Sequence, residues 1–178
     1  MTDFHLNWKS HIDLVARRVK RSIVILSRIR LFTNITILIN LYYTLICPFL
    51  TYGLIAWSNA YHSTINPIFI LQKKALRILT FSGYKDHSNP LFIKHNIIKF
   101  HNFVFYHNTI FVYNFKAGDQ LKLFNNFFES VRLASKVSLS LPRIRINYGK
   151  FNIRFVGVKA WNLLNEKIIP GYLKLRMN

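Results

Sequence analysis

The chain has 178 residues, of which 51% are hydrophobic, so it can build a folded core, and this composition argues against global disorder. It carries 25 lysines and arginines against 6 acidic residues, a formal net charge of +19. That imbalance predicts a polyanionic partner: nucleic acid first, with an anionic membrane surface as the competitor.

The predicted elements begin with a basic amphipathic helix from Trp8 to about Arg30, with Asn7 as its N-cap. Apolar residues recur at three- and four-residue spacing and place one face toward a core. The basic residues gather on another face, and we expect them to be exposed: Arg17, Arg21 and Arg28, with Lys20 beside them.

No charged residue occurs from Leu31 to Gln72, and residues 35–57 alone are long enough to span a bilayer. Pro48 predicts a kink or break within this run, because proline has no amide hydrogen and clashes with the carbonyl of Thr44. Gly53 weakens a helix further. On a helix the polar residues of the run form a narrow stripe: Thr33, Thr36, Asn40, Thr44, Cys47 and Thr51.

Two further helices are predicted downstream. Asn66 and Pro67 have the character of an N-cap and a first-turn proline, so a helix is expected over residues 67–81. A loop follows over residues 82–90, and then a long aromatic helix from about Ile97 to Lys116. The first of these helices carries a second basic cluster, formed by Lys73, Lys74 and Arg77.

Beyond Asn125 the pattern changes from helical to alternating. Residues 139–147 and 151–155 alternate apolar and polar side chains, which predicts a β-hairpin that turns over residues 147–150. A short helix is expected over residues 159–164. The predicted fold is therefore mainly α, with a helical region over residues 1–125 and a hairpin-plus-helix unit over residues 126–178, α+β overall. The hairpin carries a third basic cluster: Arg143, Arg145, Lys150 and Arg154.

Motifs for catalysis or metal binding are missing from the sequence. The six acidic residues are scattered, the single cysteine rules out thiolate zinc sites, and no glycine-rich phosphate loop is visible. Cys47 has no basic neighbour to lower its pKa. We therefore expect no enzyme activity, no metal and no cofactor in this chain.

The three basic clusters are the candidate nucleic-acid-binding residues. Lysine and arginine on ordered elements contact phosphates, which supplies affinity without sequence specificity. The many tyrosines and phenylalanines could stack on bases, but their helical spacing favours a place in the core.

Five stretches resemble the C-terminal part of non-LTR (LINE-type, jockey-like) retrotransposon reverse transcriptases, in the same order and spacing along nearly the whole chain. They are LNWKSHI at residues 6–12, LYYTLICPFLTYGLIAWSNAY at 41–61, LQKKALRILTFS at 71–82, NPLFIKHNI at 89–97 and LPRIRINYGKFNIRFVGVKAWNLL at 141–164.

This resemblance implies thumb helices followed by a connector, with the palm and its Tyr-x-Asp-Asp signature upstream and absent here. The chain would then be a fragment of an RNA-directed DNA polymerase that makes no DNA alone, with Mg²⁺ bound by the absent palm. The basic helix would grip the template–primer duplex through Arg17, Lys20, Arg21 and Arg28. Expected partners are an RNA/DNA duplex or the element's RNA, and the missing palm domain.

Two alternatives stay open. The chain could be a small membrane protein anchored through residues 35–57, or a transposon relic without a function. The N-terminal stretch MTDFHLNWKSH is too polar for a signal peptide, and one cysteine implies no oxidising compartment. We therefore expect a soluble intracellular protein of the nucleus or cytoplasm, with a membrane as the alternative.

Overall fold

The structure, a computed structural model, describes residues 8–116, 128, 130–133, 136–145 and 147–167. The chain divides into two compact units, Met1–Val104 and Phe105–Asn178, and each is described by itself. The predicted division at residue 125 falls outside the described residues and stays a prediction. Most of the described chain is helical.

The first unit is built from helices whose bounds partly match those predicted. They are α1 (Lys9–Ile29), α2 (Ile35–Leu45), α3 (Cys47–Thr51), α4 (Leu54–Trp57), α5 (His62–Leu79) and α6 (Ser88–Lys94), followed by the start of α7 (Phe100–Lys116). Asn7 lies outside the described residues. Trp8 occupies the N-cap position of α1, without a side-chain capping bond.

The packing of α1 against α5 forms the centre of this unit. The apolar stripe predicted for α1 is confirmed as buried: Ile12, Val15, Val19, Ile23 and Leu26. The predicted start of α5 at Pro67 is wrong, because the helix begins at His62 and contains that proline. The Tyr61 carbonyl accepts from the amides of Thr64 and Ile65 and so starts the helix one turn earlier.

The break predicted at Pro48 is confirmed, since α2 ends at Leu45 and α3 starts at Cys47. In a continuous helix the Phe49 amide would donate to the Leu45 carbonyl, but here it donates to the Ile46 carbonyl. The Leu45 carbonyl is therefore left without this helical donor. The Ser22 hydroxyl of α1 donates to that carbonyl at 3.0 Å. A buried serine of one helix therefore satisfies the end of another.

The rest of the charge-free run is also divided. Gly53 adopts a left-handed conformation, with φ of 60°, immediately before α4. The polar stripe is exposed at Thr36, Asn40 and Thr44, whereas Cys47 is buried. In the part of the chain that the structure describes, every helix is too short or too polar to cross a membrane.

Gln72 of α5 forms a buried hydrogen-bond network that the sequence did not indicate. Its side-chain amide donates to the Tyr42 hydroxyl at 2.9 Å and to the Ile98 carbonyl at 2.8 Å. Its side-chain oxygen accepts from the Phe100 amide at 2.7 Å. One side chain thus joins α2, α5 and the beginning of α7.

The second unit contains the rest of α7, the strands β1 (Ser130–Leu133) and β2 (Lys136–Leu139), a 3-10 helix (Asn147–Phe151) and α8 (Ile153–Lys167). The strands pair antiparallel, from Ser130 with Leu139 to Leu133 with Lys136. Gly157 of α8 allows a close approach to α7, because a Cβ there would lie 2.9 Å from a methyl group of Val112. The described core comprises Val112, Phe128, Leu139 and Val158.

The predicted hairpin over residues 139–155, and with it the α+β class, is wrong. Leu139 ends β2, residues 140–145 form neither helix nor strand, and the 3-10 helix and the first turn of α8 follow from Asn147. Asn152 explains the difference, because its side-chain oxygen accepts from the Arg154 amide and its carbonyl from the Phe155 and Val156 amides. It therefore starts a helix, whose apolar spacing continues well beyond residue 155.

Asn162 of α8 supplies a second reason why the predicted hairpin does not form. Its side chain donates to the Leu139 carbonyl at 2.9 Å and accepts from the Leu139 amide at 3.0 Å. These two backbone groups of β2 are therefore occupied at the edge that faces away from β1. A further strand pairing through Leu139 is excluded.

We expect Ser22→Ala to lower the free energy of unfolding by about 1–2 kcal/mol, because the Leu45 carbonyl loses its donor. Ser27→Ala is the matched control on the same helix, since the Ser27 hydroxyl bonds only within α1, to the Val24 carbonyl. Its effect should stay within about 0.5 kcal/mol. Chemical denaturation measures both, and equal losses would contradict the role given to Ser22.

We expect Gln72→Met to cost about 3 kcal/mol or more, because it leaves three groups without their partner at similar side-chain volume. Tyr42→Phe should cost about 1 kcal/mol, because Gln72 keeps its bonds to Ile98 and Phe100. Denaturation of the two variants tests this order. A Gln72→Met variant as stable as the original chain would show that the network contributes nothing.

Candidate nucleic-acid interface

The basic face of α1 is the most extended of the three predicted clusters. Arg17, Lys20, Arg21 and Arg28 are all exposed, opposite the buried apolar stripe. Because α1 is packed on α5, these side chains extend from a fixed backbone. The face therefore presents several cations along one rigid helix.

Two further arginines, Arg18 within α1 and Arg30 just after it, were not predicted as site residues and also have defined positions. The Arg18 guanidinium lies 5.7 Å from the ring centroid of Phe49, and that of Arg30 lies 5.0 Å from the ring centroid of Phe81. The sequence shows that Arg18 directly follows Arg17. Only the tertiary structure shows which aromatic rings Arg18 and Arg30 contact.

The cluster on α5 divides into different roles. The Lys73 ammonium lies 4.7 Å from the ring centroid of Phe69, and Arg77 Nε donates to the Asp86 carbonyl at 3.0 Å. Both side chains are half-buried, whereas Lys74 is exposed. Lys73 and Arg77 therefore stabilise the first unit, and Lys74 is the member of this cluster most accessible to a ligand.

The third cluster is brought together in the second unit, although no hairpin carries it. Arg143, Arg145 and Arg154 line one depression of about 200 Å³. Lys150 is exposed on the 3-10 helix and is not among its lining residues. The described residues that line the depression include no acidic side chain: Pro142, Arg143, Ile144, Arg145, Gly149, Asn152, Arg154 and Phe155.

Two titratable side chains of the first unit, Cys47 and Tyr42, are buried in its core. Burial raises the pKa of the Cys47 thiol to about 11, so the thiol is protonated at neutral pH. Burial also raises the pKa of Tyr42, whose hydroxyl accepts from Gln72. Among the described residues there is no group of three His, Cys, Asp or Glu side chains suited to a metal ion.

Two histidines of the first unit have a lowered pKa. Partial desolvation against Phe69 and the nearby charges of His62 and Lys73 lower the pKa of His101, whose ring lies 4.8 Å from that of Phe69 and 5.9 Å from that of His62. Burial also lowers the pKa of His11, which lies between Trp8 and Trp57. The His11 Nε2 atom is buried and has no hydrogen-bond partner among the residues that the structure describes.

Comparison of the chain with models of protein families, with curated proteins and with solved structures found no match.

We expect the free energy of unfolding to fall as the pH is lowered from about 7.5 to 5.5. With the pKa of His11 and His101 lowered on folding, the unfolded chain binds more protons in this range, so acid favours it. The variant His11→Phe/His101→Phe should flatten this dependence. Thermal unfolding across the pH range measures it, and an unchanged slope in the variant would contradict the assignment.

Proposed function

We propose that this chain binds nucleic acid through its phosphate backbone, and that the exposed basic face of α1 is the main contact surface. The observation that carries the proposal is the division of α1 between a buried apolar stripe and an exposed row of Arg17, Arg21 and Arg28 beside Lys20. A duplex offers phosphates at regular intervals along its length, to which such a row is complementary in charge.

The charge of the whole chain supports the same partner. A formal net charge of +19 raises the local concentration of polyanions and speeds their association. Contacts of this kind position a strand or duplex without reading its sequence. Binding is therefore expected to weaken steeply with salt and to depend little on base composition.

The resemblance to the C-terminal part of non-LTR retrotransposon reverse transcriptases gives this proposal a finer form. In that form α1 lies along the template–primer duplex, and the arginines around the depression in the second unit contact RNA or a displaced strand. DNA synthesis is not among the activities we propose for this chain. Its part in such an enzyme would be to hold the nucleic acid while the polymerase palm carries out the chemistry.

Charge reversal on α1 tests the proposal. We expect Arg17→Glu/Arg21→Glu to weaken duplex binding by at least about tenfold and to reduce the slope of log affinity against log salt by about 2. The physical reason is the loss of two phosphate contacts and of the counterions that they release. Filter binding over a salt titration measures both quantities.

Lys94→Glu/Lys159→Glu is the matched control, because it changes the net charge by the same amount at two other exposed positions. It should lower the affinity less and leave most of the salt slope. If both variants lose affinity equally, net charge alone governs binding. If Arg17→Glu/Arg21→Glu binds like the original chain, the role of the α1 face is refuted.

A further inference from the structure

The C-terminal ends of α1 and α5 meet in the first unit. The Arg30 guanidinium, just after α1, lies 5.0 Å from the ring centroid of Phe81, just after α5. Each helix continues into a loop at this place: residues 30–34 after α1 and residues 80–87 after α5. The two loops are thus joined by a contact between a cation and an aromatic ring.

These loops expose large apolar and aromatic side chains. Phe32 is 87% exposed, Tyr84 85%, Leu31 74% and Phe81 51%. We call Arg30, Leu31, Phe32, Phe81 and Tyr84 the aromatic tip. Single exposed apolar residues are ordinary, but four of them in two joined loops mark a surface for interaction.

The loop that carries Tyr84 is held by several hydrogen bonds. The Asp86 carboxylate accepts from the Gly83 amide at 2.6 Å, and the Asp86 amide donates to the Gly83 carbonyl at 3.1 Å. Arg77 Nε donates to the Asp86 carbonyl at 3.0 Å. Tyr84 therefore lies at the exposed turn of a loop that is already ordered.

Phe81 occupies a position where its residue type is unfavourable. The Ser82 amide donates to the Arg77 carbonyl, which closes α5 with a Schellman motif and leaves Phe81 left-handed at φ of 56°. After α6 the same motif has Asn96 at φ of 53°, a residue type that tolerates this conformation. An aromatic ring is thus kept, half-exposed, where glycine or asparagine is usual.

We infer that the aromatic tip binds unpaired bases of a nucleic-acid strand by stacking, an inference that rests on the proposed function. Aromatic rings offer flat faces on which any base can stack. The guanidinium of Arg30 against Phe81 fixes that ring and adds positive charge for the adjoining phosphate. The tip follows directly on the basic face of α1, so a strand leaving a duplex held by α1 would have the tip beside it.

Two DNA probes test the inference: a blunt duplex, and the same duplex with a single-stranded overhang of about four nucleotides, the footprint of a small stacking site. The overhang carries 2-aminopurine, whose fluorescence falls on stacking. At one fixed salt concentration the original chain should bind the overhang probe about tenfold more tightly than the blunt one and quench its fluorescence.

Phe81→Gly and Tyr84→Ser should each remove most of this difference while affinity for the blunt duplex stays within about twofold. Phe81→Gly places the residue that favours the left-handed conformation at residue 81, so the turn remains. Tyr52→Ser is the matched control, because Tyr52 is 80% exposed outside the tip. It should bind both probes like the original chain.

Equal affinity of the original chain for the two probes, with no quenching, would overturn the stacking site and leave the proposed function standing. If the original chain binds neither probe, both the stacking site and the proposed function are overturned. A parallel measurement uses vesicles of phosphatidylserine and phosphatidylcholine. If Phe81→Gly and Tyr84→Ser lose vesicle binding but keep the preference for the overhang, the tip is a lipid contact and the inference is wrong.

Discussion

The first unit depends on one buried side chain, Gln72, whose amide group makes three hydrogen bonds: two that it donates and one that it accepts. Gln72 joins the Tyr42 hydroxyl of α2, the Ile98 carbonyl and the Phe100 amide at the start of α7. Burying an amide in a core is costly unless it is hydrogen-bonded, so the network favours the arrangement of these segments that brings its partners together. The apolar contacts around it are non-directional, whereas this network selects one register between the helices.

The charge-free run folds into a protein core because its ends and breaks find partners within the unit. Pro48 stops α2 from continuing, and the Ser22 hydroxyl donates to the Leu45 carbonyl, which has lost its helical donor at the break. Trp57 and Tyr42, two large aromatic residues of this run, are buried in the core of the first unit. The Trp57 indole donates to the Tyr52 carbonyl at 2.9 Å, so even its polar atom is satisfied internally.

The same packing decides which cations are accessible. With the apolar stripe of α1 against α5, Arg17 and Arg21 face outward, whereas Lys73 and Arg77 are drawn into contacts with Phe69 and Asp86. A count of positive charges treats all of these residues alike. The proposed interface therefore contains fewer cations than the sequence carries. It is concentrated on α1, whose buried side fixes its position.

The sequence by itself determined the elements whose signal is local. The apolar stripe of α1 follows from helical spacing, and the break at Pro48 follows from a missing amide hydrogen. It also determined which residues could form the basic clusters. The tertiary structure alone decided the partners of Gln72 and Ser22 and the contact of Arg30 with Phe81. It also overruled the alternation in residues 139–155, because Asn152 and Asn162 bond backbone groups that a hairpin would need. Such contacts join residues far apart in the chain, or depend on which of two local patterns packs better, and neither is encoded in spacing along one segment.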